Sequence, residues 1–339
     1  MLDYLVRRIA RGVVVLVGLS IVIFGIARVV PGDPARIVLG PVATPEQIVS
    51  LQRQMGLDRP LVVQYGRYVD GLLHGDLGQS ILTQRSVNTD VADAFPVTFE
   101  LMVSSLLLVL AVAIPGGALA ARYRGGWIDR TTRLASLLGV VTPSFVIAIC
   151  LQILAGYVLR VLPIAGQLDP NVNFSATVTG FMVVDTLLAG RVDLFLDALL
   201  HLMLPTLALA AATAGQVMRF TRSSMIDVGR RDYVEAARAF GIPERVVLFK
   251  YMLKPAIVPT LTILGLEFAS LLGNAFVVEL VFGLPGIASY GVRAILHKDL
   301  NALMGVVMAT GLFVVVVNLL VDVAVVLVDP RVRLRHAAP

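Results

Sequence analysis

An all-α membrane protein with six transmembrane helices is the fold class this sequence predicts, and three observations carry the prediction. Its 339 residues are 57% hydrophobic and 15% charged, against about 25% charged in ordinary soluble domains. Apolar runs recur six times at the length of about 20 residues that a spanning helix needs. Arginine and lysine crowd onto alternate connecting segments, as in a multi-pass chain. A β-barrel would show short alternating segments instead of continuous runs.

The first span is Val13–Val30. Arg7, Arg8 and Arg11 precede it in the manner of a secretory signal. Its 18 residues exceed the usual signal core of about 7–15, and Pro31-Gly32-Asp33-Pro34 stands where a small-residue cleavage site would be. A retained helix is expected. The other spans are Thr98–Ala121, Leu134–Leu159, Leu199–Met218, Ala256–Phe282 and Leu303–Val328. Kinks are expected at Pro115-Gly116-Gly117 in the second and at Pro143 in the third. Pro259 and Asn274 interrupt the fifth.

With the N-terminus inside, segments 1–12, 122–133, 219–255 and 329–339 hold 18 basic residues in 72 positions, and 31–97, 160–198 and 283–302 hold 9 in 126. The positive-inside rule then makes both termini cytoplasmic. Four parts are expected: residues 1–30, the cytoplasmic N-terminus and first helix; 31–97, an extracytoplasmic subdomain; 98–328, the transmembrane core; and 329–339, a cytoplasmic tail.

Segment 31–97 is patterned rather than passive. Thr44-Pro45-Glu46 starts a helix, with Thr44 as N-cap and Pro45 at the first helical position, and Gly56 stops it. Leu61, Tyr65, Tyr68 and Leu72 share a face of a second helix, ended by Gly75 and Gly78. A lid over the membrane part and a docking surface for a soluble partner both fit.

The loop 219–255 is the most informative stretch. Asp232 and Glu235 are spaced as a capping pair. Glu235-Ala236-Ala237-Arg238-Ala239-Phe240 follows and Gly241 closes the helix, after which Pro243 and Glu244 open another. Ala236, Ala237 and Ala239 permit close approach to another surface, with arginines around it for ion pairs. A protein socket fits this better than catalysis, since no nucleophile–base pair is present. An amphipathic helix resting on anionic lipid is the alternative.

Glu235-Ala236-Ala237, three residues, then Gly241 resembles the EAA signature of permease subunits of bacterial ATP-binding-cassette importers. The remainder is similar to their dipeptide, oligopeptide and nickel subfamily. The similarity runs through Tyr4-Leu5-Val6-Arg7-Arg8, Pro31-Gly32-Asp33-Pro34, Gly56-Leu57-Asp58-Arg59-Pro60-Leu61 and Gly75-Asp76-Leu77-Gly78. It continues in Thr142-Pro143-Ser144-Phe145, Val281-Phe282-Gly283-Leu284-Pro285-Gly286 and Asp329-Pro330-Arg331. One departure stands out. The signature continues nine residues past its glycine with Ile-x-Leu-Pro, where this chain has Tyr251-Met252-Leu253-Lys254, with Pro255 and Pro259 later.

The resemblance implies a type I importer permease in a bacterial inner membrane, forming half of a translocation pathway. Its implied partners are a second homologous permease in a heterodimer, two cytoplasmic ATPase subunits and an extracytoplasmic solute-binding protein, with no nucleic acid. Coupling to the ATPases would run through Asp232, Glu235, Ala236, Ala237, Arg238 and Gly241. Arg230, Arg231 and Arg238 fit either that contact or the ordinary positive-inside surround. Peptides are the implied cargo, with nickel or glutathione as alternatives in the same family.

The chain itself is expected to catalyse nothing. Lys250, Lys254 and Lys298 follow Phe249, Leu253 and His297, so no Gly-Lys phosphate loop exists. His74, His201, His297 and His336 form no zinc-binding pair. No cofactor and no metal is expected. Ionisable groups within the spans are Arg28, Glu100, Glu267, Glu279 and Asp322. Glu267 and Asn274 share one helix face, as do Asn318 and Asp322. These four either line the cargo path or make interhelical hydrogen bonds. A self-sufficient secondary transporter using Glu267 and Asp322 is the runner-up, opposed by the lack of an internal repeat.

Overall fold

The computed structural model describes residues 2–29, 39, 43–54, 56–174 and 178–328. The Pro31-Gly32-Asp33-Pro34 and Asp329-Pro330-Arg331 motifs and the tail 329–339 lie outside the described residues. The helices are α1 (Leu2–Val29), α2 (Pro45–Gln54), α3 (Leu61–Leu73), α4 (Val87–Arg122), α5 (Trp127–Val141), α6 (Ser144–Leu151) and α7 (Met182–Leu188). After them come α8 (Val192–Gly229), α9 (Asp232–Ala239), α10 (Glu244–Val246), α11 (Lys254–Phe282), α12 (Ile287–Leu296) and α13 (Leu300–Val328). π-Helical stretches Gln152–Val158 and Val247–Leu253 extend α6 and join α10 to α11. Among the described residues, strand pairing is confined to the bridge between Gln79 and Ser86.

Among the described residues five helical runs are long and apolar enough to cross a membrane: α1, α4, α8, the joined α10–α11 and α13. Six result if α5 and α6, two halves bent by 108°, count as one broken span. Where the sequence predicts a kink, the chain turns. Thr142 adopts an extended conformation, φ −85° and ψ 123°, because the following Pro143 disfavours the helical region for the residue before it. The opposite holds at Pro115-Gly116-Gly117, which α4 crosses as one helix. There the glycines serve packing: a Cβ on Gly117 would sit 2.6 Å from the Met218 carbonyl oxygen on α8. Pro259 likewise lies inside continuous α11.

The chain forms two compact units, Met1–Pro96 with Pro285–Leu319, and Val97–Leu284 with Leu320–Pro339. In the first, Thr44 and Gln47 cap α2 reciprocally. The Gln47 N–H donates to the Thr44 hydroxyl at 3.4 Å and the Thr44 N–H to the Gln47 amide oxygen at 2.9 Å. On α3, Tyr65 and Tyr68 pack on Phe24 of α1 with ring centroids 5.4 and 5.9 Å away. Burial beside Tyr65 pushes the Tyr68 hydroxyl up to about 12. Fully buried Asp299 gathers the loop before α4 by accepting from the Ser80 hydroxyl at 2.7 Å and the Ile81 and Leu82 N–H groups. Asp90 accepts from the Tyr290 hydroxyl at 3.0 Å. Burial and then that bond hold Tyr290 above the usual phenol range.

In the second unit α8 is the hub, with α5, α6, α7 and α11 packed along it. Small residues permit this: a Cβ on Gly139 would meet the Ala211 carbonyl oxygen at 2.5 Å, and one on Gly215 the Ser136 carbonyl oxygen at 2.6 Å. Such close backbone approach is how membrane helices gain packing energy without a hydrophobic drive between them. Buried Glu100 accepts the first two N–H groups of α7, from Met182 and Val183, at 3.1 and 2.8 Å. Burial pushes the Asp185 carboxyl up, but bonds from Thr179, Gly180 and Val178 outweigh that and hold it below its usual value.

Candidate functional site

The loop between α8 and α11 is built as a short projecting lever. Arg231, extended at φ −80° and ψ 141°, is the N-cap of α9, and no side chain caps it. The expected Asp232–Glu235 capping pair is therefore absent. Asp232 is already the first helical residue, one position too late for its carboxylate to reach the orphan N–H groups. Both carboxylates instead lie in the first turn, where the helix dipole favours negative charge.

The far end is closed by backbone geometry. Gly241 sits at φ +71°, its N–H donating to Arg238 and the Ile242 N–H to Ala237 at 2.9 and 3.1 Å. This is a Schellman ending, in which glycine removes the left-handed steric penalty. The chain then restarts at Pro243 as N-cap of α10. The Arg238 guanidinium donates to Glu244 at 3.0 Å, and this bond raises the Arg238 pKa.

The two faces of α9 differ. Val234 and Ala237 are buried in the chain's own apolar cluster, against Met225, Val247, Leu248 and Met252. Glu235, Ala236, Arg238 and Ala239 are exposed. Ala237 therefore seats the lever on its own chain, and Ala236 points outward. The sequence reading missed two exposed aromatics, Tyr233 at 46% and Phe240 at 86%. An aromatic residue closing a short polar helix was the available signal.

A π-helical stretch, Val247–Leu253, lies where the sequence departs from the signature. A π turn accommodates one residue beyond the α-helical count. The chain's Pro255 comes one position after the signature's proline, while Leu253 stands at the signature's leucine.

A second feature escaped the sequence reading. Asp129, 1% exposed at the start of α5, accepts two bonds from Arg222 of α8, at 2.6 and 3.0 Å. The Gly125 N–H adds a bond at 2.9 Å and Arg133 lies at 3.6 Å. This bidentate clamp grips α8 two turns before the lever begins.

The polar residues of the spans are dispersed. On α11, Glu267 is half-buried and takes a bond from the Ser270 hydroxyl at 3.4 Å, while Asn274 is exposed two turns on. On α13, Asn318 and Asp322 are half-buried one turn apart. A Cβ on Gly265 of α11 would lie 2.3 Å from a Val321 methyl of α13, which brings the helices carrying Glu267 and Asp322 into contact. Among the described residues no three His, Cys, Asp or Glu side chains are grouped to hold a metal.

Residues 113–334 match the family described as "Binding-protein-dependent transport system inner membrane component". Residues 1–102 match the N-terminal region described for the same kind of protein. The chain belongs to this family. It is a transport subunit of the bacterial inner membrane. It is 39% identical over 320 residues to the probable D,D-dipeptide transport system permease protein DdpB of Escherichia coli, covering 94% of each chain. It is 34% identical to the dipeptide transport system permease protein DppB of Alkalihalophilus pseudofirmus, over 98% of this chain and 100% of that one. It is also 34% identical to the di/tripeptide transport system permease protein DppB of Pseudomonas aeruginosa, over 98% and 99%. The permease family is thus matched along nearly the whole chain.

Proposed function

We propose that this permease forms half of the pathway of an ATP-driven importer of short peptides, with α9 as the element that two separate ATPase subunits grip. The observation that carries this is the two-faced lever. Val234 and Ala237 root it in its own chain, while Glu235, Ala236 and Phe240 face outward. Both termini and the loop 219–255 are cytoplasmic in this reading, as the basic residues require. Peptide cargo is supported by the relatives, named for dipeptides, D,D-dipeptides and di/tripeptides. Nucleotide-driven closure of the ATPases moves the lever and rocks two unlike permease halves between inward and outward access. Glu267, Asn274, Asn318 and Asp322 line the path.

Gly241→Val tests the lever. A β-branched side chain at φ +71° is strained by about 1–2 kcal/mol, so the Schellman ending unwinds and the grip on Glu235 and Ala236 is lost. In reconstituted vesicles the assembled complex should still hydrolyse ATP but move little peptide. Normal uptake would sink the assignment, and proton-driven uptake without ATPase subunits would favour a secondary transporter. The 31–97 subdomain receives the solute-binding protein in this reading. Deleting part of Thr44–Leu73 should therefore lower uptake from that protein several-fold while ATPase assembly persists. Unchanged uptake would leave the segment as a lid.

A further inference from the structure

Between α5 and α8 lies a cavity of about 340 Å³, lined on α5 by Thr132, Arg133, Ser136 and Leu137 and on α8 by Met218, Arg219 and Arg222. Three arginines line it, and one carboxylate, Asp129, pairs with Arg222 and lies 3.6 Å from Arg133. Asp129 is occupied by Arg222, and the Arg133 Nε leans on the Asp129 carbonyl oxygen at 3.4 Å. A net positive charge remains, carried outward by Arg133, whose side chain is 57% exposed, and by exposed Arg219.

The outer face of α5 continues from this basic end as an apolar stripe. Leu134, Leu137, Leu138 and Val141 are 57–69% exposed and recur at the spacing of one helical face. Arg130 and Arg133 stand one turn before Leu134 and Leu137 on that same face. Just beyond the basic turn, Trp127 and Tyr123 are 74% and 44% exposed. Tryptophan and tyrosine concentrate at headgroup depth. Arginines at headgroup level followed by a purely apolar stripe match a phosphate on an acyl chain. A protein partner would be expected to find polar groups along the stripe, and α5 offers none there.

We infer that this groove binds the phosphate of an anionic phospholipid of the cytoplasmic leaflet, held by Arg133 and Arg219, with an acyl chain along Leu137 and Leu138. Basic pockets between membrane helices on that side suit such headgroups. The leaflet assignment rests on the topology proposed above. A lipid seated here braces the junction of α5 and α8 next to the Asp129–Arg222 clamp, at the root of the lever.

The test uses the assembled importer in nanodiscs containing phosphatidylglycerol and phosphatidylcholine, with a photoactivatable phosphatidylglycerol as probe. Cross-links should map to residues 132–137 or 218–222. In native mass spectrometry, wild type and the charge control Arg7→Gln should retain phosphatidylglycerol. The double variant Arg133→Gln with Arg219→Gln should bind it about 30-fold more weakly, roughly fivefold for each basic residue near an anionic surface. Equal retention by the double variant would overturn the inference. So would a partner subunit cross-linking into the groove, or displacement of the lipid by inorganic phosphate alone, which would make it a soluble-anion site. Arg124→Cys in a Cys150→Ser background, labelled separately from each side of the membrane, reads the topology. Labelling from outside would refute the cytoplasmic assignment, while the cross-links still decide whether the groove holds lipid.

Discussion

Gly139→Leu should leave almost no folded permease in the membrane. The Cβ alone would meet the Ala211 carbonyl oxygen at 2.5 Å and its carbon at 3.2 Å. Both are backbone atoms of α8, so no rotamer change relieves the clash and the helices must separate. Separation also breaks the reciprocal contact, where a Cβ on Gly215 would lie 2.6 Å from the Ser136 carbonyl oxygen. Overpacking of this kind costs about 3 kcal/mol, and van der Waals contact is a main force holding membrane helices together. Immunoblotting of membranes and thermal unfolding of the purified complex measure the effect. Gly18→Ala is the matched control, because nothing lies within 4 Å of the added Cβ. A folded, active Gly139→Leu protein would show that α5 and α8 do not cross at this point.

Asp129→Ala should be strongly destabilising. It strands Arg222, whose side chain is 20% exposed, in a site shaped for a bidentate partner. Removing one member of a buried pair costs about 3–5 kcal/mol. Because Arg222 keeps some contact with water, about 3 kcal/mol is expected. The readout is the unfolding midpoint of the assembled complex. Asp129→Leu combined with Arg222→Met should recover much of the loss, since an apolar pair leaves no charge uncompensated. If the double variant is as unstable as the sum of the single ones, the clamp is not the source of the effect. The variant should also weaken coupling of ATP hydrolysis to uptake, because the clamp holds α8 two turns ahead of α9.

The signals that were legible in the chain are local. The spanning helices show as apolar runs, α2 and α3 show through Thr44-Pro45 and their periodic apolar residues, and the end of α9 shows through Gly241. Each depends on residues within a few positions of one another, where helix periodicity and capping act. The short helices α7 and α12 were not expected: they start after Phe181 and Gly286, and neither supplies the capping side chain that announces a helix start. The 108° turn between α5 and α6 was legible only as Pro143, since a proline permits a break without setting its angle.

The lever shows the boundary most clearly. Its residue types already announced a short capped helix with a small-residue surface, but eight residues of helix have two faces. Which alanine points outward depended on the cluster waiting beneath it, so Ala237 turned inward beside Val234. Asp129 and Arg222 are 93 positions apart, and nothing near either residue names the other. Composition, periodicity and chain-ending residues therefore established the helices and where they stop, because those properties are written in neighbouring side chains. The bend of the third span, the α5–α8 crossing, the clamp and the outward face of α9 came from packing between distant segments, whose energies exist only once the helices have met.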